Sequence, residues 1–174
     1  MILSLFRKST ATDPVYAVYN SIVAQSRQPV FYAEWGVPDT VTGRFDMISL
    51  HMALLFRRLR HGPKDKAFSQ AVFDLFFKDM DRSLREMGAG DLSVPKKIQK
   101  MGNLFFGLLA AMNEAMDRND NAALAGVISR NVFDSQDSPH LGALVDYLIA
   151  RDADLAAQPV DAIMAGTVSF EATP

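Results

Sequence analysis

Three histidines, His51, His61 and His140, are the side chains here that could move a proton or hold a metal near neutral pH. Either task needs partners at defined spacing. His51 and His61 stand ten residues apart, which on one helix turns them to different faces. No HExxH, EF-hand loop or other carboxylate–histidine spacing accompanies them, so no metal is expected. The chain has no cysteine, which excludes disulfides, thiolate catalysis and sulfur-bound zinc together. No GxGxxG, P-loop or GxSxG occurs, and Gly88, Gly90 and Gly102 do not space as a phosphate cradle. Haem would ask for CxxCH or an axial pair, and neither stands out. The expectation is a protein without cofactor that is not an enzyme. A catalytic reading would need a pocket where His51 or His140 meets a carboxylate.

Binding chemistry is better represented. Arg57, Arg58, Arg60, Lys64 and Lys66, with Lys96, Lys97 and Lys100 further on, suit RNA, a ribosome surface or anionic headgroups. The three arginines equally suit a solvated helix C-terminus, where the dipole favours cations. Residues 1–108 carry 15 basic and 10 acidic side chains, residues 109–174 only 3 and 10, so the chain is dipolar. Twelve phenylalanines and nine methionines give a soft apolar inventory, mostly core, of the kind that also accepts varied peptides.

The elements that must position these residues read as helices. Of the 174 residues, 49% are hydrophobic and 22% charged, as in an ordinary globular chain. Apolar residues recur at helical spacing in nearly every long segment, and no stretch alternates over a strand's length. The fold class is therefore all-α: a single-domain bundle of about six helices over residues 1–158, followed by a tail, 159–174. Helices are expected at about 13–27, 42–60, 64–87, 93–118, 121–133 and 138–157. Phe45, Ile48, Met52, Leu55 and Leu59, beside Met47, Leu50 and Leu54, make the second helix central. One stripe of the second or third helix is expected to stay partly exposed. In the third, Asp74 with Lys78 and Asp81 with Arg85 are spaced as ion pairs. Ser93 looks like the cap of the fourth, in which Gly102 and Gly107 suggest a close neighbour.

Between the first two helices, QPVFYAEWGVPDTVTG has two prolines, two glycines and the one tryptophan, and reads as an aromatic loop. The tail is small, acidic and weakly periodic, and is expected to be partly ordered at best. At the start, MILSLFRK places its basic residues after the apolar ones, the reverse of a signal peptide, and reads as uncleaved. The longest nearly apolar run, Leu104 to Met112, is far short of the ~20 residues that span a bilayer.

With the segments in order, the chain resembles the ubiquinol-cytochrome c chaperone family. The loop and second helix carry this, from Trp35-Gly36-Val37-Pro38-Asp39-Thr40 through Phe45 and from Leu50-His51 to Leu59-Arg60. Phe73-Asp74-Leu75-Phe76-Phe77-Lys78-Asp79-Met80-Asp81-Arg82-Ser83-Leu84-Arg85-Glu86-Met87-Gly88 is similar to a block of that family, followed by Val94-Pro95-Lys96-Lys97-Ile98 and by Ile128 to Phe133. The match spans roughly residues 16–150. It implies an all-helical factor for assembling the cytochrome bc1 complex, complex III of the respiratory chain. Mitochondrial members associate with the ribosomal tunnel exit and, with a small partner protein, bind newly made cytochrome b. No arginine-rich transit segment opens this sequence, which suggests a bacterial member in the cytoplasm, peripheral to the inner membrane.

The resulting expectation is a chaperone that shields apolar segments of a membrane subunit, cytochrome b by resemblance, without a DNA partner. An RNA or ribosome-surface binder acting through the basic stretch is the alternative. The expected contact residues are Phe31, Tyr32, Trp35 and Pro38 of the aromatic loop, His51, and the charged Arg57, Arg60, Asp79, Asp81 and Arg82. Trp35 has a second reading as a lid over the core. His51 has one as a core histidine bonded to a backbone group, and Asp79 and Asp81 as members of intrahelical pairs.

Overall fold

The doubled apolar stripe from Phe45 to Leu59 forms the central helix, α3 (Val41–Arg58), in which every residue from Met47 to Leu55 is buried. A helix apolar on all sides must be enclosed on all sides. The enclosing ring is α1 (Asp13–Ser26), α4 (Pro63–Glu86), α5 (Val94–Asp117), α6 (Asn121–Val132) and α7 (Leu141–Ala157), each packed on the next and on α3. The computed structural model describes residues 13–170, and every regular element among them is helical. The start MILSLFRK, expected to be uncleaved, lies outside the described residues.

Local chemistry sets the helix ends. Thr40 Oγ1 accepts from the Gly43 amide at 3.1 Å and starts α3; Asp120 Oδ1 accepts from the Ala123 amide at 2.8 Å and starts α6. Ser93, expected to cap α5, donates instead to the Gly90 carbonyl at 2.9 Å and makes no cap bond. The last long helix begins at Leu141 rather than Ser138, because Ser138 Oγ accepts from the His140 amide in a preceding turn.

Two short helices depart from the sequence reading. The aromatic segment is not all loop: Pro29–Ala33 forms α2, a single turn with proline at its start. The chain then folds back through Trp35 N–H to Val30 O and Val37 N–H to Phe31 O, both 2.9 Å. Residues beyond Pro159, expected to be partly ordered at best, form α8 (Val160–Met164) and pack on the bundle. Ile163 is fully buried, Val168 nearly so, and Gln158 bonds both the Ser169 amide and carbonyl, at 2.9 and 2.8 Å. Val160, Ile163 and Met164 stand at helical spacing but span a single turn, and Val168 and Phe170 beyond it follow no helical period.

The glycines separate by what surrounds them. A Cβ on Gly43 would stand 1.9 Å from the Pro38 carbonyl, so glycine there lets the aromatic segment lie on α3. Gly102 faces Phe77 of α4 at ordinary contact distance, as its helical position suggested, but Gly107 faces open space. Gly107→Ala is therefore expected to stabilise the protein by about 1 kcal/mol. Thermal unfolding followed by circular dichroism should show Tm rising by about 2–4 °C.

Candidate functional site

The aromatic segment is a lid whose inner ring is core. Phe31 is fully buried, with its centroid 5.1 Å from Tyr147 and 5.9 Å from His51. Trp35 is half-buried over the same cluster, 5.5 Å from Phe31 and 5.9 Å from Tyr147. Tyr32 donates its hydroxyl to Ser26 O at 2.9 Å, and Pro38 stays exposed. Trp35, Tyr32 and Pro38 thus reach solvent; Phe31, expected at a contact surface, does not.

His51 is likewise interior. Its Nδ1 lies 2.7 Å from Met47 O, which can only accept, so Nδ1 carries the proton. Its Nε2 then accepts from the Tyr147 hydroxyl at 2.7 Å, which itself accepts from Gln25 Nε2 at 2.8 Å. Burial pulls the imidazole down to about 4 and pushes the Tyr147 phenol up to about 12. Both ring nitrogens are occupied within the fold and neither meets a carboxylate. The expected contact role of His51 gives way to a structural one.

Arg57 is also corrected from surface to interior, at 9% exposure. It joins three helices: Nε donates to Asp152 at 3.2 Å, and Nη1 donates to Asn113 Oδ1 at 2.9 Å and Asp117 at 3.1 Å. Arg58 donates to the Leu155 and Gln158 carbonyls at 2.9 and 2.8 Å, covering the open end of α7. Arg60 pairs with Asp117 through two 2.9 Å bonds, and the Arg60 hydrogen bond, with that of Arg57, holds this carboxyl down to about 2. The cation-rich first part of the chain thus meets the acidic second part inside one molecule. The three arginines of the basic stretch are largely spent there, while Lys64, Lys66, Lys96, Lys97 and Lys100 stay exposed.

Along α4 the charged face is partly as expected. Asp81 pairs with Arg85 at 2.6 Å, but Asp74 accepts from Gln70 at 2.7 Å, not from Lys78. Asp79 accepts from the Tyr19 hydroxyl of α1 at 2.9 Å and pairs with Arg82. Burial and that carboxylate raise the Tyr19 phenol. Asp79 and Arg82 line an open hollow of about 390 Å³ between α1 and α4, with Arg27, Lys78 and Tyr16.

Exposed apolar surface lies partly on the third long helix, α4, as expected, and partly elsewhere. α3 keeps no exposed stripe, and the α4 stripe is half-buried until Met87. On α5, Leu104 and Phe106 are each about half exposed, and Val41 at the start of α3 is 47% exposed. Neither α5 residue was among the expected contacts, although both flank Phe105 within the apolar run Leu104 to Met112. Their flanking positions were the signal: one helical step on either side of a buried Phe105 turns a side chain outward. Asp46, next to Leu104, was missed as well; a carboxylate inside the run Phe45 to Leu50 is the feature that could have found it.

Comparisons with known proteins agree with this architecture. The family model for the ubiquinol-cytochrome C chaperone matches residues 33–170. The crystal structure of the Cbp3 homolog from Brucella abortus is 40% identical and superposes with a TM-score of 0.86, covering 99% of this chain and 97% of that one. No curated protein matches. A family model covering most of the chain and a whole-length structural relative lead to one conclusion: this chain belongs to the ubiquinol-cytochrome c chaperone family.

Proposed function

We propose that the protein holds a hydrophobic membrane subunit, newly made cytochrome b, during biogenesis of the bc1 complex, at the cytoplasmic face of the membrane. The observation that carries this reading is surplus apolar surface: Leu104, Phe106 and Val41 stand half exposed beside a core that is already filled. Leu104 and Val41 line one groove while Phe106 faces another side of α5, and exposed apolar side chains gathered along a groove mark protein contacts. No helix among the described residues is long and apolar enough to cross a membrane. Of the expected contact residues, Tyr32, Trp35, Pro38, Arg60, Asp79, Asp81 and Arg82 reach solvent and belong to this proposal. Shielding requires no bond to be broken. A contact with the ribosome would bring the protein to its client early.

Deleting the gene in its own host is expected to lower cytochrome b severalfold, read by immunoblot and by reduced-minus-oxidised difference spectra. Unchanged cytochrome b would overturn the reading. The RNA-binding alternative loses support because Arg57, Arg58 and Arg60 are engaged within the fold. It would require ribosome association that weakens steeply with salt.

A further inference from the structure

A groove opens beside the exposed leucine of α5, and its charges are unpaired. Its wider part, about 260 Å³, runs between the start of α3, Leu84 of α4, and Lys97, Met101 and Leu104 of α5. It continues into a hollow of about 160 Å³ toward the end of α6, where Asn131 and Asp134 line the wall. Phe45, Asp46 and Leu104 border both parts.

Asp46 is partly buried, and among the described residues no cation or hydrogen-bond donor meets it. Asp134 faces it and adds repulsion to the cost of burial. Ser49, 1% exposed, lines the same hollow with its Oγ unpartnered. Arg130 borders the hollow without pairing to either carboxylate. At the opposite end Lys97 and Lys100, one turn apart on α5, have no carboxylate partner among the described residues. A buried carboxylate without a counter-charge costs free energy that an arriving cation recovers. Two carboxylates and a hydroxyl fall short of what a hard metal ion demands, and no group of three candidate metal ligands exists among the described residues.

We propose that this groove docks an amphipathic helix of a partner protein that carries an arginine or lysine within its apolar stripe. The cation settles against Asp46 and Asp134, within reach of the Ser49 hydroxyl. The apolar side chains lie on Leu84, Met101 and Leu104, and an acidic residue nearer the other end meets Lys97 and Lys100. A helix is the occupant because the walls are themselves helices, and ridges of side chains three and four residues apart are what packs into grooves between helices. The site does not depend on cytochrome b being the client.

The test uses the full chain and labelled amphipathic peptides of ~18 residues, long enough to hold a helix, with arginine, leucine or glutamate at the centre of the apolar stripe. Fluorescence anisotropy is expected to show the arginine peptide binding about tenfold more tightly than the glutamate peptide. Asp46→Asn and Asp134→Asn should each remove most of that preference while leaving the leucine peptide's affinity unchanged, and Leu104→Glu should weaken all three. The preference should also shrink as the buffer is taken below neutral and Asp46 gains its proton, since Asp134, Arg130, Lys97 and Lys100 are the other charges facing it. Asp134 is exposed, so its variant carries the test if the Asp46 variant folds poorly. Equal binding of the arginine and glutamate peptides, or no binding by any, overturns the proposal. So does a wild-type dimer that Leu104→Glu converts to monomer, because the groove would then belong to a second copy of this chain.

Discussion

Asp46→Asn is expected to stabilise the protein at about pH 8 and to do nothing for it at about pH 4, because the native carboxyl titrates far above its unfolded counterpart. Burial, with Asp134 nearby, lifts Asp46 from 3.8 to about 7. Between those values the folded chain holds a proton that the unfolded chain has lost, so stability falls as pH rises through the window. Each unit of difference is about 1.4 kcal/mol, which places the full effect on the order of 4 kcal/mol. His51 works in the opposite sense over nearly the same range. The unfolded imidazole takes up its proton near 6.5, the buried one only near 4, so stability falls as pH drops between them. In the wild type the two slopes offset each other. Asp46→Asn should therefore expose the His51 dependence, with unfolding free energy climbing from pH 4 to 6.5 and then levelling. His51→Asn should expose the Asp46 dependence, with stability declining from pH 4 to 7. Urea denaturation across this range measures both. A flat profile in the Asp46 variant would show that His51 is not held neutral by the fold.

Arg57→Ala is expected to cost about 3 kcal/mol, near the lower bound for breaking a buried ion pair. Arg57 is 9% exposed and binds α5 and α7 to α3, but its carboxylate partners, Asp117 and Asp152, are 44% and 31% exposed. Water can take over part of their solvation, and Asp117 keeps Arg60. Arg57→Met, which retains the apolar stem without the guanidinium, should cost only about 1–2 kcal/mol. Urea denaturation at neutral pH distinguishes the outcomes, with the slope of the transition unchanged if the native bundle is otherwise intact. A loss below about 1 kcal/mol for the alanine variant would mean that the three-helix junction stands without this residue.

The central position of α3 was legible because its apolar residues occupy both stripes of a helix, and nothing but full enclosure satisfies that pattern. The six long helices were legible for the same reason, together with the proline and glycine breaks between them. Arg57 shows where such reasoning fails: an arginine in the last turn of a helix looks solvated from its own neighbours. Asp117 and Asp152, 60 and 95 residues away in sequence, make it interior. The tail failed differently. Val160, Ile163 and Met164 do stand at helical spacing, but a single turn is too short to read as an element until α1 and α4 pack against it.

Periodicity alone determined the all-helical class, the order of the long helices and which of them lies at the centre, since these follow from side-chain spacing within single segments. Packing decided which charges are buried, that the aromatic segment is a lid with Phe31 inside, and that Asp46 sits opposite Asp134 in a groove flanked by Leu104. Those juxtapositions join segments of the chain remote from one another, and the contacts between them exist only once the helices have closed around α3.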